Sequence, residues 1–158
     1  MEKMRANIDM KPIITWILIA DSARARLFFN DGPGHGVKLV SDEVIRGLNL
    51  PDREIMSDRP GRAFDSVGAG RHAKEPKTDP RKVEKRSFAH ELAAMLDDGL
   101  KQGKFERLVL VAPPGELGFL RAELSPGVRK RVSAELNKDL TGVPPSEVPD
   151  HLGKVMAV

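Results

Sequence analysis

At 158 residues the chain has the size of one domain and is long enough to bury roughly 70% of the surface its unfolded form exposes. It contains no cysteine, which excludes a disulfide framework, a thiol nucleophile and a cysteine-based zinc site. Its formal net charge is only +3, so the placement of charge carries more information than its total.

Residues 1–12 are polar and without period, and the sequence predicts a flexible N-terminal segment there. A single domain is expected over 13–153. Its first element is Ile13 to Ala20, an apolar run broken only by Thr15. A bilayer takes about 20 apolar residues to cross, and no small-residue cleavage site follows, so the run reads as a strand buried on both faces. Export by the standard route is therefore not expected, and a cytoplasmic location is.

Asp21-Ser22-Ala23 is a short turn before a second strand, Arg24 to Phe29. The cluster Asn30-Asp31-Gly32-Pro33-Gly34 marks another turn. Gly36 to Ile45 then reads as a third strand forming a hairpin with the second. Asp79 and Pro80 are a strong helix start, and Phe88, Leu92, Met95, Leu96 and Leu100 fall on one face until Gly103 stops the helix. Arg107 to Ala112, with Leu108, Val109, Leu110 and Val111, reads as a second fully buried strand. Pro113-Pro114-Gly115 opens a short helix. Val132, Ala134 and Leu136 alternate with polar residues as an edge strand does, while a helix over Arg129 to Leu140 competes with that reading. Pro144, Pro145 and Ser146 open a last short helix ending near Gly153. The order of elements predicts an α/β fold: a mixed sheet of about five strands, the two most apolar central, packed against the helix from Pro80.

The segment 51–78 has no period and is punctuated by Pro51, Pro60, Gly61, Gly68, Gly70 and Pro76; a stretch of that length without structure is usually functional or disordered. From Pro51 to Arg86 ten Lys/Arg face seven Asp/Glu, which equals the whole charge excess of the chain. Glycines let backbone amides approach phosphate, and arginines offer it a bidentate fork. Arg59, Arg62, Arg71, His72, Lys74 and Lys77 are thus candidate contacts to phosphate or RNA, with Phe64 a candidate base-stacking residue. The plain alternatives are a solvated loop on a mildly basic protein, and a structural flap that Arg62 and Arg71 hold closed by pairing with acids such as Asp58 and Asp65. From Val67 to Thr78 no large apolar side chain offsets the entropy of ordering, so Gly61 to Thr78 is expected to be mobile until a partner binds.

No phosphate-loop, dinucleotide or paired-histidine motif occurs, and no metal, cofactor or catalytic residue is assigned. Asp21 ends a buried strand, where ligand crevices often lie. A metal nuclease would need further acids beside it, and a turn-capping role is the stronger reading.

The segment Ile17 to Phe28 resembles the opening strand and turn of the bacterial host attachment protein family. The resemblance continues through Asp58-Arg59-Pro60-Gly61-Arg62, Phe64-Asp65-Ser66 and Arg71-His72-Ala73. It then takes in Leu108 to Pro114, Leu117-Gly118 with Leu120-Arg121, and Lys138-Asp139-Leu140-Thr141. The family is similar in fold to the middle domain of eukaryotic and archaeal peptide release factors and to ribosomal proteins of that class. In those factors a glycine-rich loop before a long helix carries a Gly-Gly-Gln tip. Here the loop has Gly68-Ala69-Gly70, and the one glutamine is Gln102. The resemblance thus implies a non-enzymatic module that touches structured RNA or the ribosome. The alternative is a protein-interaction factor linked to attachment, whose loop meets an acidic protein surface.

Overall fold

The structure is a computed structural model, which describes residues 12–47 and 80–158. β1 (Thr15–Ala20) and β2 (Arg24–Asn30) are antiparallel, joined by the Asp21 turn. β3 (Lys38–Leu39) and β4 (Ile45–Arg46) both pair with β2. The long helix α1 (Pro80–Lys101) leads to β5 (Arg107–Ala112), which lies parallel to β1. Helices α2 (Pro114–Glu123) and α3 (Pro126–Arg129) then cross back to β6 (Val132–Asn137), parallel to β5. A 3₁₀ turn at Pro145–Glu147 runs into α4 (Val148–Leu152). The sheet order is β3-β2-β1-β5-β6, so the two most apolar strands are central, as their composition demands.

Side chains of β1 and β5 alternate between two cores. Trp16, Leu18, Leu108 and Leu110 pack with Phe88, Leu92 and Leu96 of α1 and with Leu117 and Leu120 of α2. Ile17, Ile19, Val109 and Val111 face the other way, against Leu140, Val148 and Leu152. The described residues therefore form three layers: helices α1–α3, the sheet, and residues 138–158.

One sequence expectation changes. The single strand over Gly36 to Ile45 is two short pieces. Between them Glu43 N–H donates to the Ser41 hydroxyl at 3.2 Å, and Val40 and Val44 turn outward, about 40% exposed. This local bond competes with the ladder. Of the two readings of residues 129–140, the strand holds. Gly103 ends α1 with φ +70°, the left-handed geometry that favours glycine. The basic segment 51–78 and the lead residues 1–11 lie outside the described residues.

Candidate functional site: the carboxyl end of the sheet

Parallel strands β1 and β5 end together at Ala20 and Ala112, and the turns that follow them build one end of the molecule. Asp21 stands at its centre. Its Oδ1 accepts from Ala23 N–H at 2.8 Å and Arg24 N–H at 2.7 Å, a turn closed by an aspartate side chain. Its Oδ2 accepts from the Arg24 guanidinium at 3.3 Å and from the Thr141 hydroxyl at 3.0 Å. Burial works against the charge. The Ala23 and Arg24 amides, with Thr141 and the Arg24 charge, outweigh it and hold the carboxyl below its ordinary value. The turn-capping role read from the sequence is the one observed.

Thr141 Oγ1 also lies 2.7 Å from Asp139 Oδ1, so its single proton serves one carboxylate at a time. Arg26, on the same face as Arg24, donates to the carbonyls of Thr141 at 2.6 Å and Val143 at 2.8 Å. Asp21, Arg24 and Arg26 thus clamp the chain after β6 onto the sheet. Two segments that carry the family resemblance, Asp21–Arg26 and Lys138–Thr141, meet in this clamp across some 115–120 positions of sequence.

On the other face, Ala20, Asp21, Phe88 and Phe119 surround a dent bridged by an ion pair, Lys85 Nζ to Glu116 Oε2 at 3.5 Å. As built from the described residues its free volume is about 10 Å³, room for about one water and too little for a substrate. The chemistry of this end is therefore that of its surface. Arg46 is the cross-strand partner of Arg24, and Arg86 lies over the Phe119 ring at 5.8 Å. Arg46, Lys82 and Arg86 are exposed and form no ion pair among the described residues. Both α1 and α2 begin at this end, and their N-terminal dipoles add positive potential.

The sequence-predicted contacts Arg59, Arg62, Phe64, Arg71, His72, Lys74 and Lys77 lie outside the described residues. Their two flanks do not. Gly47 N–H donates to Ala23 O at 3.3 Å, and a methyl group added at Gly47 would stand 3.1 Å from Phe88. Phe88, two turns into α1, in turn borders Ala20 and Asp21. The chain therefore leaves for residues 48–79 at the carboxyl end of the sheet and comes back to it at Pro80. Sequence reasoning missed the contribution of Arg24 and Arg46 to this end. Only the strand register shows that they are opposite one another.

A family model described as "protein required for attachment to host cells" matches residues 16–152. The chain belongs to that family. The match takes in every described residue of the Asp21–Thr141 clamp. An uncharacterised protein of Rickettsia prowazekii (strain Madrid E) is 24% identical over 131 residues, which are 81% of this chain and 85% of that protein. Among solved structures, an archaeal protein superposes on 99% of this host attachment family chain with a TM-score of 0.51 at 10% identity. The archaeal translation termination factor aRF1 superposes on 89% of it, with a TM-score of 0.41 and 10% identity. The chain spans 38% of the length of each of those two structures. At such identity the likeness to the first of these, the archaeal protein, is one of fold alone. No helix among the described residues is long and apolar enough to cross a membrane.

Proposed function

We propose that this host attachment family protein is a non-enzymatic, cytoplasmic binding module for structured RNA or a ribosomal surface. The partner meets the carboxyl end of the sheet, with Arg59, Arg62, Arg71, His72, Lys74 and Lys77 on phosphate and Phe64 on a base. One observation carries the reading: Gly47 and Pro80, the described residues that flank the glycine-rich basic sequence 51–78, both lie at the end that displays Arg46, Lys82 and Arg86. Exposed cations at that end, together with a sequence between Gly47 and Pro80 rich in Gly, Lys and Arg, suit a polyanion better than a small substrate.

The test is retention of total RNA and of ribosomes by the purified protein across a salt series. Binding weakens steeply as salt rises, because counterions are released. Arg62→Ala combined with Arg71→Ala lowers affinity at all sequences and lowers the slope of log affinity on log salt by about two, with an unchanged melting temperature. No retention at low salt ends the reading.

The family description favours a second reading, a protein-interaction factor linked to attachment, in which the same segment meets an acidic protein surface. Ultraviolet-absorbing nucleic acid that copurifies with the protein and is stripped by high salt separates the two.

A further inference from the structure

The amino end of the sheet, opposite the end just described, carries a site of different character. Thr15 of β1 is the direct partner of Asn30 on β2 and of Arg107 on β5. Directly opposed residues share a face, so the three form one polar row across the sheet. The row lies on the face of Ile17, Phe28 and Val109, the side covered by the C-terminal layer. Above it lies a groove of about 530 Å³, walled by Ile13, Pro33, Val155 and Met156. That volume lies within the range of small-molecule sites, roughly 300–1,000 Å³, and apolar walls with a few convergent polar groups are their usual lining.

The polar row is unevenly satisfied. Asn30 is fully used: its amide donates to Gly32 O at 2.9 Å and Gly36 O at 2.6 Å, and its carbonyl accepts from Gly32 N–H at 3.0 Å. Thr15 is 5% exposed, yet its hydroxyl has no hydrogen-bond partner among the described residues. A buried hydroxyl left in that state is costly and uncommon. Arg107 forms no ion pair among the described residues. Asp31 also lines the groove, with its carboxylate held by His35 Nδ1 at 2.9 Å.

We propose that this groove binds a small monoanionic amphiphile, a carboxylate with a short apolar tail. The carboxylate accepts two parallel hydrogen bonds from the Arg107 fork and one from the Thr15 hydroxyl. The tail lies along Ile13, Val155 and Met156. Asp31, a negative charge on the same lining, selects against a dianion such as an alkyl phosphate.

The experiment is titration of the full chain, isotopically labelled, with octanoate, octanol and hexyl phosphate in parallel, followed by NMR. Octanoate is expected to give saturable shifts confined to the Thr15 and Asn30 amides and the Met156 methyl, with octanol and hexyl phosphate weaker. Arg107→Gln, with its unliganded spectrum otherwise preserved, weakens octanoate about tenfold or more, the loss expected for a charged hydrogen-bonded partner. Thr15→Val keeps the shape, removes the hydroxyl and weakens octanoate several-fold without lowering the melting temperature. The proposal is overturned by absence of saturable shifts, by octanol binding as tightly as octanoate, by a preference for hexyl phosphate, or by unchanged affinity in Arg107→Gln.

Discussion

Asp21 shows how one side chain ties a turn, a strand and a distant segment together. Its carboxylate receives two backbone amides, one guanidinium and one hydroxyl, from the turn, from β2 and from the layer beyond β6. Asp21→Asn keeps an oxygen for the two amides but loses the charge that attracts Arg24 and an acceptor for Thr141. The expected loss is about 1 kcal/mol at neutral pH, kept small by the partial exposure of Arg24. The pH dependence has a definite sign. The folded carboxyl is depressed below its ordinary value, so its stabilisation is present above the unfolded pKa, about 3.9. It is lost as pH falls through the folded value. Urea denaturation of the two proteins should therefore give curves that differ at pH 7 and converge below about pH 4; a gap that persists in acid would show that the charge is not what matters. This role was legible from one position, because an aspartate directly after an apolar run, with two residues between it and the next strand, is a turn-forming pattern. Its bond to Thr141 was not, since no spacing rule links positions 21 and 141.

Among the elements, α1 was the clearest in the sequence: a proline start, a periodic apolar face and a glycine stop. Its glycine at 99 was not explained by any of those. A methyl group there would stand 2.6 and 2.7 Å from two atoms of the Trp16 ring, and that ring is stacked on Phe105 with centroids 4.7 Å apart. Helix propensity alone would favour Gly99→Ala by about 1 kcal/mol. Overpacking against a ring clamped on its other side costs roughly 1–3 kcal/mol and wins. Gly99→Ala is thus expected to lower stability, by about 1 kcal/mol net. Gly118 on α2 has open space around it. Gly118→Ala should raise stability by roughly 0.5–1 kcal/mol. The two variants give opposite shifts of the denaturation midpoint if the close approach is real, and shifts of the same sign if only propensity acts. The short strands β3 and β4 were the least legible elements, because Ser41, Asp42 and Glu43 interrupt an alternation that otherwise suits one strand.

At the scale of the whole molecule, the sequence holds a demand that it does not visibly meet. β1 and β5 are apolar at every position from Trp16 to Ala20 and from Leu108 to Ala112, so both faces of the sheet need cover. The helices α1 and α2 announce one cover by period. The other is built from residues 138–158, where Gly142, Pro144, Pro145, Pro149 and Gly153 prevent any long element and the apolar residues follow no repeat. The groove at the amino end was hidden for the same reason, because Thr15, Asn30 and Arg107 become neighbours only through the register of three strands. The basic segment 51–78 was legible as composition alone. The C-terminal cover has a consequence for stability. Leu152 is fully buried with Val148 and Leu140 against Ile17, Ile19 and Val111. Leu152→Ala removes that packing and leaves a cavity between two layers, an expected loss of roughly 2–5 kcal/mol. In a chain of this length that lowers the melting temperature by roughly 5–15 °C. Val83→Ala, at a position 45% exposed on α1, should change stability by no more than about 0.5 kcal/mol. Calorimetry on both decides whether the short C-terminal helix belongs to the cooperative core. A Leu152→Ala loss as small as that of Val83→Ala would mean that the second face of the sheet folds without its cover.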